Sequence, residues 1–321
     1  MKKLMIFALG VAAVLASCVK NEVEDISKPE EIAFKEFAIS EGTRADDNLA
    51  FTPEYFRAYA KFSNKGDGSD YKNFWGDAAK KIVEKTDASG TYWAAEDGTY
   101  YWPKAGKLSF WGYYFPEDQT SVDLSLVNTT DGIKGTGVTA SQAALILLAD
   151  PAQSALKTGN KVPIIFRHVG SQVIFRFANA SYNDGFALTI TGVEITEAMD
   201  KGDFTYTAWS NYSVETTYTS DQSYAVNNKE IGVATDAAYT FFTLPQELDQ
   251  SGDNKKIVVK YRVADNNAGY YYDGVYTADA TDWVINTKHY YNITFNFTAG
   301  EEIKFTPEVE DWASENHRYD A

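Results

Sequence analysis

The sequence predicts an all-β protein built of antiparallel β-sandwiches, and three observations lead there. Tyr (22), Phe (19) and Trp (7) together make up 15% of the chain, a composition suited to pleated, half-buried surfaces. Apolar residues alternate with period two in one segment after another. Clusters of Gly, Asn, Asp and Ser separate those segments, as the turns between short strands require.

The elements follow in order. EYFRAYAKF (54–62) puts Phe56, Ala58, Ala60 and Phe62 on one face. KLSFWGYYF (107–115) is apolar or aromatic on both faces, as a strand covered on both sides would be. VIFRFA (173–178) aligns Val173, Phe175 and Phe177, and KIVVKYRV (256–263) aligns Ile257, Val259, Tyr261 and Val263. HYYNITFNF (289–297) sets Tyr291, Ile293, Phe295 and Phe297 against Tyr290, Asn292, Thr294 and Asn296. Breaks fall at SNKGDGSD (63–70), EDGT (96–99), NTTDG (128–132), YNDG (182–185), DQSGDN (249–254) and DNNAG (265–269). Only DAAKKIVEK (77–85) and SQAALILLAD (141–150) have helix-like composition, and both are short. The polar loop TGNKVP (158–163) marks the expected boundary between domains at 45–160 and 161–321.

The beginning of the chain carries a different signal. Lys2 and Lys3 precede LMIFALGVAAVLA (4–16), an apolar run of 13 residues. A membrane-spanning helix needs about 20 residues, so the run has the length of a secretory signal core. It ends in Leu15, Ala16, Ser17 and Cys18, and LASC resembles the lipobox of bacterial lipoproteins. Residues 1–17 then form a signal peptide and Cys18 receives the lipid, palmitate included. The competing expectation is an ordinary signal peptide, but Cys18 is the only cysteine, and a lone thiol in a secreted chain calls for a role. Residues 18–44 begin as a charged tether too poor in apolar residues to fold. Glu22, Glu24 and Asp25 resemble signals that send lipoproteins to the outer face of the outer membrane.

Cleavage before Cys18 leaves 304 residues, with 27 basic against 45 acidic side chains once Lys2 and Lys3 are gone. So acidic a chain is not expected to bind nucleic acid, which needs clustered Lys and Arg. Enzyme chemistry is not expected either. His168, His289 and His317 are the only histidines and none stands at metal-ligand spacing, so no metal or cofactor is expected. His168 alternates with Ile164 and Phe166 and is read as structural, and His289 likewise. DGIKGTG (131–137) lacks the Gly-Lys-Ser/Thr of a phosphate loop and is read as a hairpin turn. Glu308, Glu310 and Asp311 lie near the last strand, where acidic residues form a solvated edge.

Several blocks in order resemble the fimbrillin-like proteins, the type V pilins of Bacteroidales: LASC (15–18), GTRA (42–45), FRHVGSQVIFRF (166–177), FFTLPQ (241–246), the run from Trp283 to Phe297, and IKFTPEVEDW (303–312). The resemblance spans nearly the whole chain. It implies two transthyretin-like antiparallel β-sandwich domains, display at the cell surface as an outer-membrane lipoprotein precursor, and assembly with other pilin subunits into a fimbrium by donor-strand exchange. It also implies cleavage after an arginine by a trypsin-like protease; here the matching bond joins Arg44 to Ala45.

The residues add their own argument. EIAFKEFAIS (31–40) has strand character, with Ile32 and Phe34 and then Phe37 and Ile39 apolar. It lies between tether and cut site, so it could fill a slot in the first sandwich that proteolysis would open as an unpaired edge. Beyond Trp312 only ASENHRYDA (313–321) follows, without apolar alternation. A subunit that accepts a strand and has none to give suits the tip or an accessory position; if 303–312 can swing out, it suits the stalk. Adhesion to a host or bacterial surface receptor or glycan is a further expectation. The alternative function is an anchored surface glycan-binding lipoprotein presenting aromatic platforms, for which Trp102 and Trp209 are the candidates expected to be exposed and Trp111 the one expected in the core.

Overall fold

The computed structural model describes residues 30–35, 38–39, 53–65, 70–88, 90–119, 122–128, 132–149, 152–154, 161–206, 208–231, 237–247, 256–297 and 304–311. Among them the strands form four sheets around two apolar cores.

The first sheet contains β1 (Ala38–Ile39), β2 (Tyr55–Ser63), β3 (Lys72–Asn73), β4 (Lys80–Asp87), β5 (Gly90–Ala95), β6 (Lys107–Tyr114), β9 (Leu147–Ala149), β10 (Ala152–Ser154) and β11 (Ile165–His168). Its order is β1-β11-β9-β6-β2-β4-β5, with β10 on β6 and β3 on β2. The inward faces are those the alternation marks: Phe56, Ala58 and Ala60 of β2, and Leu108 and Phe110 of β6, are buried. β6 is also buried at Trp111 and Ser109 on its other face, because β2 and β9 flank it and the second core lies behind.

The second core lies between two sheets. One holds β12 (Ser171–Asn179), β18 (Ala237–Thr243), β21 (Thr287–Phe295) and β22 (Lys304–Asp311), in the order β18-β12-β21-β22. The other holds β13 (Phe186–Ile195), β16 (Tyr218–Ser220), β17 (Tyr224–Val226), β19 (Lys256–Asp265) and β20 (Tyr270–Asp279), in the order β16-β13-β19-β20 with β17 also on β13. Phe175 meets Tyr291 at 5.3 Å between ring centroids, and Phe295 meets Tyr261 across the sandwich at 4.8 Å. The pairings are antiparallel except β12 with β21 and β1 with β11, which are parallel.

The fourth sheet, β15-β14-β8-β7, joins β7 (Asp123–Asn128) and β8 (Gly132–Thr139) to β14 (Lys201–Phe204) and β15 (Trp209–Ser213). The cores therefore draw on both sides of residue 160. Leu124, Ile133 and Val138 pack in the second core, and Val162, Ile164 and Phe166 in the first. The chain passes from one core to the other between Phe166 and Val173, turning at Gly170, where a Cβ would stand 3.2 Å from the Thr243 carbonyl.

Three segments differ from expectation. Residues 80–85 of the helix-like stretch are strand β4, since Ile82 is fully buried between β2 and β5 while Lys81 and Val83 on either side are only half-buried. Of SQAALILLAD only a short turn, α1 (Ala140–Ala143), is helical; Thr139 and Gln142 close it with a capping box, and 147–149 returns to strand. DGIKGTG, expected as a hairpin turn, is strand β8 from Gly132 onward. Gly135 serves there by having no side chain, since the Phe204 ring occupies the space a Cβ would need.

Tyr291 is fully buried, and its hydroxyl accepts from the Trp283 indole (3.0 Å) and the Thr281 amide (3.1 Å). Tyr291→Phe leaves both donors unpaired, at about 1–3 kcal/mol. The urea midpoint should fall with an unchanged m-value.

Candidate functional site

The first sheet ends at β5 on one side, and on the other at the chain leading into β11. Residues 30–35 lie against both. Phe34 donates its amide to the Trp93 carbonyl (2.8 Å) and accepts from the Trp93 amide (3.2 Å), an antiparallel bridge to β5. Ile32 donates to the Tyr100 carbonyl (2.7 Å), and Trp102 donates to the Glu30 carbonyl (2.9 Å). On the opposite side the Val162 amide donates to the Ala33 carbonyl (2.8 Å) and the Lys35 amide to the Val162 carbonyl (2.9 Å), a parallel bridge. Further along, β1 continues parallel to β11, with Ala38 opposite Ile165 and Ile39 opposite Phe166. One short segment thus closes the first sheet on itself.

The alternation explains why this segment fits. Ile32 and Phe34 point inward, 2% and 0% exposed, while Lys35 points outward. The Phe34 ring sits edge-on to Phe56 (5.5 Å) and Phe110 (5.1 Å), and Trp93 covers Phe56 at 5.6 Å. Burying the two side chains contributes about 1.5–3 kcal/mol each before the cost of ordering the segment. An ion pair from Glu31 to Lys85 at 3.8 Å adds little, because such surface pairs are worth at most about 1 kcal/mol.

Ile32 and Phe34 are therefore in the first core, and Ile39 lies in β1. Phe37, Cys18, Arg44 and Ala45 lie outside the described residues. What sequence reasoning missed is the receiving side: Trp93 in GTYWAA (90–95) and Val162, whose pairing with residues 30–35 no local pattern announces.

The tryptophans correct an expectation. Trp102 is buried against Phe110, at 6.0 Å between centroids. Trp209 is half-buried, tilted on Phe204 and donating its indole N–H to the Val169 carbonyl at 2.8 Å. Neither is an exposed platform, because each lies on a strand or loop that the adjoining core covers. Trp111, expected in the core, is there.

His168 is buried at the end of β11, its backbone amide donating to Asn286 Oδ1 at 3.0 Å. His289 is buried in β21, its Nε2 accepting from the Val284 amide at 3.1 Å and lying 2.6 Å from Thr287 Oγ1. His317 lies outside the described residues. Among the described residues no group of three or more His, Cys, Asp or Glu is placed to hold a metal ion.

Residues 43–312 match the profile of the fimbrillin-like family, and the chain belongs to that family. Among solved structures, a fimbrial protein from Bacteroides vulgatus is similar at TM-score 0.57 and 16% identity, covering 85% of this chain and 99% of that one. A candidate cell adhesion protein from Bacteroides ovatus is similar at TM-score 0.52 and 16% identity, covering 90% and 100%. At such identities these likenesses establish a shared fold. No curated protein matches the sequence.

Two measurements probe these side chains. Phe34→Ala should cost roughly 3–5 kcal/mol in the intact chain, read as a lowered unfolding midpoint. Burial, the main cause, pushes the His289 pKa down from 6.5 to about 4. The unfolded chain takes that proton first, so the stability from a neutral His289 is complete above pH 6.5 and is lost as pH falls towards 4. It amounts to about 3 kcal/mol. His289→Gln should flatten the difference curve across that window, and an unchanged acid profile would show that the imidazole is not held neutral.

Proposed function

We propose that this chain is a non-enzymatic fimbrial subunit made as a surface lipoprotein precursor. Residues 30–39 close its first sandwich until cleavage after Arg44 makes them exchangeable for a strand from another pilin. The observation that carries the reading is the segment around Phe34: Phe34 bonds through its main chain to Trp93, its neighbours Ala33 and Lys35 bond to Val162, and the Phe34 ring packs in the first core. The lipid on Cys18 holds the precursor at the outer membrane, and the cut separates anchor from subunit. Once the segment leaves, the open edges at Trp93 and Val162 offer main-chain partners, and the Ile32 and Phe34 pockets select side chains. The incoming strand would run antiparallel to β5 and parallel to residues 162–166, as residues 30–39 do.

For position in the fibre the tip or an accessory place is favoured. β22 completes the chain's own sheet, pairing with β21 from Thr294 opposite Lys304 to Thr287 opposite Asp311, and so is not free to be given away. One observation favours the stalk instead: EEIKF (301–305) repeats EEIAF (30–34) at four of five positions. A second copy's last strand would then match the groove.

Trypsin titration of the precursor should cut first after Arg44 and leave a folded core beginning at Ala45, with Arg44→Ala blocking that cut. Only the cut form should take up a partner pilin. If the core unravels on cleavage, or the uncut chain joins fibres equally well, residues 30–39 are a permanent strand. Uptake of a synthetic 301–311 peptide by the cut core would assign the stalk, and its refusal the tip.

A further inference from the structure

Four of the six exposed large aromatic side chains among the described residues belong to two adjoining turns of the second sandwich. β20 is an edge strand, and it opens on Tyr270, Tyr271 and Tyr272, exposed by 59%, 64% and 42%. Tyr182, in the turn between β12 and β13, is 43% exposed. The register puts Tyr272 opposite Val263 on the core side, where its ring lies edge-on to Phe297 at 6.5 Å. Tyr271 stands on the outer side beneath the Arg262 guanidinium, 4.7 Å from the ring centroid.

The two turns are tied to each other. The Asn266 amide donates to the Gly185 carbonyl (2.9 Å) and Asn267 Nδ2 to the Asp184 carbonyl (3.2 Å). Asp265 Oδ1 accepts from the amides of Asn267 (2.9 Å) and Ala268 (3.0 Å). Gly185 and Gly269, at φ of 90° and 73°, make turns that other residues would strain to form. The rings are thus presented on a braced frame and lose little freedom when something lies against them.

Charge decides what kind of ligand suits them. Arg262, the cation beside the rings, is already bound by both carboxylate oxygens of Asp273 (2.7 and 3.0 Å). Asp184 and Asp265 flank the turns, and the chain carries a net charge of −16. Among the described residues the cation beside these rings is already paired, so an acidic ligand would meet repulsion there. A neutral sugar chain offers C–H faces to lie on phenol rings, and hydroxyls to bond with tyrosine hydroxyls, Asn amides and Asp carboxylates.

We propose that the end of the second sandwich formed by Tyr270, Tyr271, Tyr272 and the Asp265 turn binds neutral oligosaccharide. The site is independent of the groove holding residues 30–35 and of strand exchange. It differs from a tryptophan platform, since Trp102 and Trp209 are covered.

Calorimetric titration of the purified full chain tests it, using neutral gluco-, manno- and galacto-hexaoses and a hexagalacturonate of equal length. At least one neutral hexaose should bind and the hexagalacturonate should not. Tyr270→Ala and Tyr271→Ala should each weaken binding roughly three- to tenfold without moving the thermal midpoint, while Tyr271→Phe should keep most of it. Absence of binding by all three neutral hexaoses, equal binding of the acidic one, or indifference to both alanine variants overturns the proposal. So does finding that the alanine variants abolish capture of another pilin while sugar binding persists, which would make β20 a protein-docking edge.

Discussion

The first half of the molecule depends on a strand lying between two sheet ends that otherwise meet, among the described residues, through the Lys161 side chain on Thr91 and Tyr92 of β5. β5 and the chain around Val162 both present main-chain groups towards residues 30–35: Phe34 bonds to Trp93 of β5, and Ala33 and Lys35 bond to Val162. Open edges carry unpaired donors and acceptors, so whatever occupies this place satisfies both sides at once. Side-chain contacts alone would not create that dependence. Phe34 fills a space walled by Phe56 and Phe110, but an apolar pocket can partly collapse, whereas a main-chain edge needs another main chain.

The second core is built differently. β12 is buried along its whole length and lies between β18, antiparallel, and β21, parallel. Its inward Val173, Phe175 and Phe177 meet residues of β21 on their own sheet, and β13 and β19 stand opposite. This core has strands of the chain's own on every side that its packing needs, with β22 completing the sheet. The two cores therefore differ: an upstream segment closes the first, while the two sheets facing each other across the second are built within residues 171–311. The passage through Gly170 joins them directly, since β11 belongs to the first sheet and β12 to the second core only a few residues later.

The aromatic side chains divide by size and polarity. The six described tryptophans are buried or half-buried, as large rings with one polar atom tend to be where a core can take them. The exposed rings are mainly tyrosines at one end, where the hydroxyl can remain in water. Histidine follows the same logic: His289 is buried inside a sheet with polar contacts from its own turn.

The sequence by itself determined the fold class and the inward faces of the long strands. Period-two alternation is a local property, and Phe56, Ala58, Val173, Phe175, Ile257 and Ile293 fall where it puts them. It also marked residues 31–40 as a strand candidate, because Ile32 and Phe34 alternate. It misread 80–85 and 132–137, where composition pointed to helix or turn while burial of Ile82 and the close approach of Phe204 to Gly135 imposed strand. Only the tertiary structure decided that residues 30–35 bridge β5 and Val162, that β7 and β8 serve the second core, and that Trp102 and Trp209 are covered. Each of these is a contact between residues far apart in the chain, and neither alternation nor composition carries information about which distant edge a strand will meet.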